Sequence, residues 1–467
     1  MPVNIKFGTD GWRAIIADDY TIENLLRVAE ATAAYMKRHK MRKVVIGHDC
    51  RFGGALFAET AARVFAGRKI KVILGKSFVS TPMISYGVVH QKADLGVVIT
   101  ASHNPPSYNG FKLKAAYGGP MVPAGIAEVE ALIPPASSPE PLPAFAELEA
   151  AGWIKRVDLE ANYIRHCRKN FDLKLIKQSA GRIACDAMYG ASQTAMRRLL
   201  PGSLFLHCEW NPGMHGQAPE PIHRNLLKLS EAVRKNPKIT AGLANDGDGD
   251  RIGLYDEDGV FVDSHHILLI LLLYLHKYKG MSGKVVFTFS VTDKLKKMAD
   301  KFGLPSEITK IGFKYIAEIM TREDVIVGGE ESGGLAVKGH IPERDGMWIG
   351  LLVFEFMART GKTVKGLVQE VYDMVGAFAC DRDDLHISET QKQSVIAACK
   401  GGRYAQFGSY RVQRVEDLDG WKFHLGNESW VMIRPSGTEP VLRVYAQAAN
   451  LTKTRDILDA VKATILA

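Results

Sequence analysis

The 467-residue chain reads as an α/β protein: three similar strand–helix units followed by a smaller C-terminal α+β domain. Three observations point there. Short apolar runs alternate with stretches of helical period through most of the chain, as in mostly parallel sheets covered by helices. Each unit contains a strand that stops at a polar, glycine-rich loop. From about residue 375 the pattern changes to short alternating segments, which suit antiparallel strands.

The elements follow in order. Phe7-Gly8-Thr9-Asp10-Gly11-Trp12-Arg13 reads as a tight loop that aims Arg13 at a particular place. Thr21 to Lys40 carries apolar residues at 22, 25, 26, 29 and 33, one face of a helix. Thr21 suits its N-cap, Glu23 its first turn, and Lys37, Arg38 and Lys40 its negative end. Lys43–Gly47 reads as a strand, 54–67 as a helix, and Ile70–Leu74 and Leu95–Ile99 as strands. The second of these runs into Thr100-Ala101-Ser102-His103-Asn104-Pro105. Tyr108-Asn109-Gly110-Phe111-Lys112 then reads as a turn that delivers a lysine. Ile133 to Pro143 holds five prolines and reads as a linker; the first domain is expected to span 1–150.

A helix at about 158–170, a strand at 181–186 and a helix at 190–200 open the second unit, expected over 151–256. Its strand Ala241–Ala244 enters Asn245-Asp246-Gly247-Asp248-Gly249-Asp250-Arg251, and a hairpin returns through 252–255 and 259–262. The third unit is expected over 257–372. It has the apolar helix 265–277, strand 284–288, helices 292–302 and 313–321, and strand Val325–Val327 leading to Gly328-Gly329-Glu330-Glu331-Ser332-Gly333-Gly334. The last domain, 373–467, holds strands near 410, 430 and 442 and a closing helix over 452–465.

Composition excludes several classes. Sixty Lys and Arg against 51 Asp and Glu leave a net charge of +9. These charges are spread evenly, which suits small anionic ligands better than nucleic acid. The most apolar run, Ile267–Leu275, is far too short to span a membrane. Six scattered cysteines without a paired spacing read as reduced core thiols, and no apolar leader follows Met1, so a cytoplasmic protein is expected.

Four loops carry the chemistry. Ser102 lies at the carboxyl end of a strand, where open α/β sheets bind ligands. With His103 and Lys112 nearby it suits a serine that handles phosphate; the same residues also suit an ordinary Asn-Pro turn. Asp246, Asp248 and Asp250 alternate with glycines, and such carboxylates repel one another unless a cation lies among them. Oxygen ligands with open positions for phosphate suit Mg²⁺. An EF-hand is excluded because Arg251 stands where its turn needs glycine and the flanks read as strands. Arg251 is better used against a phosphate. Glu330 and Ser332 suit sugar hydroxyls. Arg434, Ser436, Gly437 and Thr438 make an anion cradle in one turn.

Taken together, the loops Thr100–Pro105, Asp246–Arg251, Gly329–Gly333 and Arg434–Thr438, with Gly8–Arg13, resemble those of the α-D-phosphohexomutase family, over essentially the whole chain. The resemblance implies four domains ringed around a central cleft, with the last one mobile. It implies a mutase that interconverts hexose 1-phosphate and hexose 6-phosphate, through a phosphoserine at Ser102 and a hexose 1,6-bisphosphate. Mg²⁺ would be held by the Ser102 phosphate, Asp246, Asp248 and Asp250. Arg13, Lys112 and Arg251 would stabilise the transferred charge. Glu330 and Ser332 would grip the sugar; Arg434, Ser436, Gly437 and Thr438 would hold the distal phosphate. Many members have histidine where this chain has Gly334, so the proton-handling group is expected to be Lys314 or His103. Lys310-Ile311-Gly312-Phe313-Lys314 and the Glu330-Glu331 pair resemble glucose-type members; mannose and glucosamine phosphates are the near alternatives. A metal-dependent phosphatase or a non-catalytic sugar-phosphate binder would be the distant ones. The partners expected are hexose phosphates only, with no nucleic acid or membrane, and the protein a monomer or homodimer.

Overall fold

A computed structural model describes residues 3–8, 10–138, 140–180, 183–435 and 441–466. The fold resolves into two compact units, residues 1–284 with 312–367 and residues 285–311 with 368–467.

In the first unit, a six-stranded sheet runs β1 (Trp12–Ile15), β5 (Tyr108–Ala115), β4 (Leu95–Ile99), β2 (Lys43–His48), β3 (Lys71–Gly75), β6 (Ile154–Val157). β4, β2, β3 and β6 are parallel; β5 runs antiparallel to β4, and the edge strand β1 runs antiparallel to β5. Helices α1 (Ile22–Arg38), α2 (Gly54–Gly67) and α3 (Thr81–His90) connect the strands. Thr21 caps α1 through Asn24 N, as its sequence predicts, a bond worth about 1 kcal/mol. The apolar residues of α1 and α2 pack with Val44, Ile46, Val97, Phe111 and Leu113 in one core.

Three sequence expectations are corrected here. Residues 108–112 are not a turn: they begin β5, an eight-residue strand buried along its middle. Its two faces divide the labour. Phe111 and Leu113 enter the apolar core, while Lys112 and Lys114 meet buried carboxylates. Lysine in a strand reads as a loop only until its partners, remote in sequence, are known. Similarly, Arg13 lies within β1, in register with Gly110, and not in a free loop. The proline-rich stretch is a strap and not a linker. Arg27 of α1 donates to Pro134 O, Ser137 donates to Glu23, and Arg63 of α2 donates to Leu142 O and Pro143 O. The chain then supplies β6 to the same sheet, beyond residue 150.

A second sheet has the order β11 (Phe261–Val262), β10 (Ile252–Tyr255), β9 (Ala241–Asn245), β7 (Ile183–Asp186), β8 (Leu204–Leu206). β8, β7 and β9 are parallel, so the acidic loop leaves the carboxyl end of β9 and returns in β10. Its flanks are strands, as the exclusion of an EF-hand required. The helix Ser264–Leu273 is buried on every side. Val325–Gly329 and Leu335–Val337 form an antiparallel hairpin around the Glu330 loop. The helix Gly346–Thr360 follows, capped by Asp345 through Trp348 N.

In the second unit, residues 285–288 pair in parallel with Ser306–Thr309. Antiparallel strands run in the order Ala379–His386, Val441–Ala448, Ser429–Pro435, Trp421–Gly426, Arg414–Glu416, and the helix Leu451–Leu466 packs on them through Ile457, Leu458 and Val461. All six cysteines are free. Among the described residues no helix is long and apolar enough to cross a membrane.

Candidate active site

The site of the first unit grows from three strand ends. β4 ends at Ile99, and Ser102 follows in a left-handed backbone conformation, φ +52°. Its Oγ donates to Asp246 Oδ2 at 2.8 Å, although 144 residues separate the two. Asp246, Asp248 and Asp250 are fully buried, and each offers an oxygen within 4.8 Å of the others. Gly247 permits the approach: a Cβ there would lie 2.5 Å from the Ser102 carbonyl oxygen.

The carboxylates differ in electrostatic state. Burial, then Asp250 and Asp248, push the Asp246 carboxyl well above its usual range. Burial opposes ionisation of Asp248 too, but Lys112 and the Thr81 hydroxyl outweigh it and hold that group low. Lys112 Nζ lies 2.8 Å from both Asp248 Oδ2 and Asp10 Oδ2 and 3.4 Å from Asp250 Oδ2. Thr81 Oγ1 donates to Asp248 Oδ2 at 2.5 Å. Asp248 Oδ1 and Asp250 Oδ1 are buried with no hydrogen-bond partner. Two orphaned carboxylate oxygens beside a carboxyl that its neighbours oppose fit a bound divalent cation, which would satisfy all three at once.

Further cations surround the trio. Arg251 N donates to Asp246 Oδ1 at 3.0 Å; its guanidinium lies 3.7 Å from Glu220 and 3.5 Å from His103 Nε2. Arg13 donates to Asn104 Oδ1 at 2.8 Å. His103 Nδ1 lies 3.5 Å from Ser102 Oγ. Burial, then Arg251, Arg13 and Lys112, depress the His103 pKa well below that of a free imidazole, which favours the neutral ring.

Comparison with known proteins gives this geometry a context. Family models for phosphoglucomutase/phosphomannomutase α/β/α domains I, II and III match residues 4–139, 161–259 and 263–375, and the model of the C-terminal domain matches 400–464. The chain belongs to the phosphoglucomutase/phosphomannomutase family. It is 30% identical over 460 residues to a phosphoglucosamine mutase of Limosilactobacillus reuteri, covering 95% of this chain and 94% of that one. It is 28% identical over 465 residues to a phosphoglucomutase/phosphomannomutase of Thermococcus kodakarensis, covering 97% and 96%. A solved structure provisionally described as a phosphomannomutase from Thermus thermophilus superposes with a TM-score of 0.87 at 33% identity, over the whole of both chains. The protein is a phosphohexomutase-family enzyme of three α/β/α domains and a C-terminal domain.

The Gly329–Gly333 loop is stitched to the acidic loop. Arg251 and Gly334 form a β-bridge, and Ile252 N donates to Gly333 O at 3.1 Å. Burial pushes the Glu330 carboxyl up to about 7, against the pull of Arg344 at 3.6 Å. Ser332 is half-buried on the same loop. Lys314, on the helix Phe313–Met320, has its ammonium over the Tyr315 ring, 5.4 Å from the centroid, and makes no polar contact with Ser102. Arg434 belongs to the second unit, where Nε lies 3.2 Å from Asp419. Ser436, Gly437 and Thr438 lie outside the described residues.

Sequence reading missed Arg344, Asp10 and Thr81 as site residues. Arg344 ion-pairs with Asp10 and, at 2.6 Å, with Asp250, and its guanidinium lies over the Phe313 ring. A Cβ at Gly334 would fall 2.4 Å from Arg344 Cδ, so this arginine fills the space that a side chain at 334 would need. Glu343 accepts from Ser85 at 2.9 Å and ion-pairs with Lys114 at 2.7 Å. The one signal available was Arg344-Asp345-Gly346 before an apolar helix, which suits any N-cap.

Proposed function

We propose that Ser102 is the phosphoryl carrier of a hexose phosphate mutase that interconverts hexose 1-phosphate and hexose 6-phosphate through a hexose 1,6-bisphosphate, with glucose as the preferred sugar. The observation that carries it is the 2.8 Å contact of Ser102 Oγ with Asp246 inside a buried trio of carboxylates. Asp246, Asp248 and Asp250 would hold Mg²⁺, which neutralises charge on the phosphoryl oxygens when bound. Phosphoryl transfer depends mainly on positioning and charge stabilisation, and the buried cations Lys112 and Arg251, with the half-buried Arg13, suit that task.

The phosphoryl group would pass from Ser102 Oγ to the free hydroxyl of the hexose phosphate, and the proton of that hydroxyl to a neutral base that returns it to the departing Ser102 oxygen. His103 fits that role better than Lys314: its ring is uncharged and near Ser102 Oγ, whereas Lys314 has no contact there. The bisphosphate would then return its other phosphate to Ser102. Glu330 and Ser332 would accept and donate to sugar hydroxyls; Arg434 with Ser436, Gly437 and Thr438 would hold the phosphate remote from Ser102. The preference for glucose rests on Gly334, on the Lys310–Lys314 segment and on the Glu330-Glu331 pair. The relatives are described with mannose and glucosamine phosphates as well, so the sugar is the part that most needs testing. We further propose the domain boundaries 1–150, 151–256, 257–372 and 373–467 and a cytoplasmic location.

The test is a coupled assay over glucose, mannose and glucosamine 1-phosphates, with Mg²⁺ and a trace of the matching bisphosphate. The expected order puts glucose first in kcat/KM, with no steady release of inorganic phosphate. Mass spectrometry of the peptide holding Ser102 should show one phosphate, absent from Ser102→Ala, which should also lose turnover. Full activity in Ser102→Ala would overturn the carrier role; a higher kcat/KM for another sugar would overturn the preference.

A further inference from the structure

Ser102 adopts a left-handed backbone conformation that a residue with a side chain rarely adopts unless its surroundings impose it. The surroundings that impose it come from the loop after β2. Arg51 is buried throughout its side chain. Its Nη2 donates to the carbonyl oxygens of Ser102 at 2.7 Å and Asn104 at 2.6 Å, and its Nη1 to those of Pro105 at 2.7 Å and Tyr108 at 3.0 Å. One guanidinium thus gathers four carbonyls of the serine loop. Asp49 completes the device: it lies 3.3 Å from Arg51 Nε and accepts from Arg51 N at 2.9 Å. It also accepts from Thr100 Oγ1 at 2.5 Å, and Thr100 Oγ1 in turn accepts from Ser102 N at 2.8 Å. Both backbone polar groups of Ser102 are therefore held by the same ion pair, one through Arg51 and the other through Thr100. The far side of the Ser102 carbonyl is walled by Gly247 of the acidic loop.

We propose that Arg51, Asp49 and Thr100 are positioning residues that lock the Ser102 peptide so that Oγ faces Asp246. The proposal rests on the reading of Ser102 as the phosphoryl carrier. Arginine is required chemically. A planar fork of five N–H donors can serve four acceptors spread over seven residues, while a lysine ammonium has three donors at one point. The device touches no reacting atom, so it should act on the alignment of the attacking oxygen and leave sugar binding alone.

The experiment compares Arg51→Lys, Thr100→Val and Thr100→Ser in the full chain with wild type and Ser102→Ala. Arg51→Lys and Thr100→Val should lower kcat by about a hundredfold, the cost of a small misplacement of a reacting group, with KM nearly unchanged. Amide hydrogen exchange should speed up at residues 102–108 while the rest of the first sheet keeps its protection. Thr100→Ser, which keeps the hydroxyl, should restore both. Should Arg51→Lys fail to fold, Thr100→Val carries the test, since valine is nearly isosteric. The proposal is overturned if kcat of the folded variants is unchanged, if the loss appears in KM, or if kcat falls without faster exchange in the loop. Activity surviving in Ser102→Ala would instead overturn the carrier reading itself.

Discussion

Gly334→Ala is the sharpest test of the site's packing. The added Cβ would lie 2.4 Å from Arg344 Cδ, 3.2 Å from Cγ and 3.3 Å from Glu330 Oε2. Those atoms are mid-chain, and the guanidinium beyond them is tied to Asp250, Asp10 and Glu330, so the arginine has no free end to swing away. Overpacking of this kind costs about 1–3 kcal/mol. Pulling Arg344 from its buried carboxylates adds to that, because broken buried pairs cost roughly 3–5 kcal/mol. If only about 2 kcal/mol of this falls on the transition state, kcat/KM drops about thirtyfold. The assay is a double-mutant cycle with Arg344→Ala, which removes the obstacle: in that background Gly334→Ala should cost little further stability, giving a coupling of about 1 kcal/mol or more. Unchanged activity and thermal midpoint in Gly334→Ala, or strict additivity in the cycle, would refute the reasoning.

Other expectations follow from the electrostatics. Asp246→Asn removes a charge that its neighbours oppose, so without divalent ions the variant should match or exceed wild type in thermal midpoint. With Mg²⁺ wild type should gain stability and the variant should not, and half-activation should need at least about ten times more metal, an estimate for loss of one oxygen ligand. Thr81→Val removes a donor from Asp248 and should weaken Mg²⁺ activation more mildly, measurable in the same titration. Glu330 gives a pH signature. Its carboxyl is pushed from 4.5 up to about 7 in the folded state, so between those values the folded protein holds a proton that the unfolded chain has released. Stability contributed by this group therefore falls as pH rises through that window and levels off above it. Relative to Glu330→Gln, wild type should lose up to about 3 kcal/mol across the window, read from urea titrations at several pH values; a flat difference would refute the assignment.

Much of the fold was legible from local pattern. α1 appeared with its cap and charges because helical period and N-cap chemistry are properties of neighbouring residues. The acidic loop was legible as a candidate cation site because its carboxylates alternate with glycines; that their oxygens converge within 4.8 Å is a finding of the structure. Ser102 was legible from its place after an apolar strand. Lys112 was expected in a turn and lies inside a strand, since a lysine there makes sense only with Asp10, Asp248 and Asp250 around it.

What the amino-acid order determined alone was the succession of strands, helices and polar loops, and which loops hold groups able to bind metal, sugar or phosphate. Tertiary structure decided which of those groups meet. It set Asp246 against Ser102 across 144 residues, turned a proline strap back onto α1, and put Arg344 into the space beside Gly334. The physical reason is range. Propensity and capping act over a few residues, whereas buried ion pairs form between positions brought together by packing, and no local pattern records their partners.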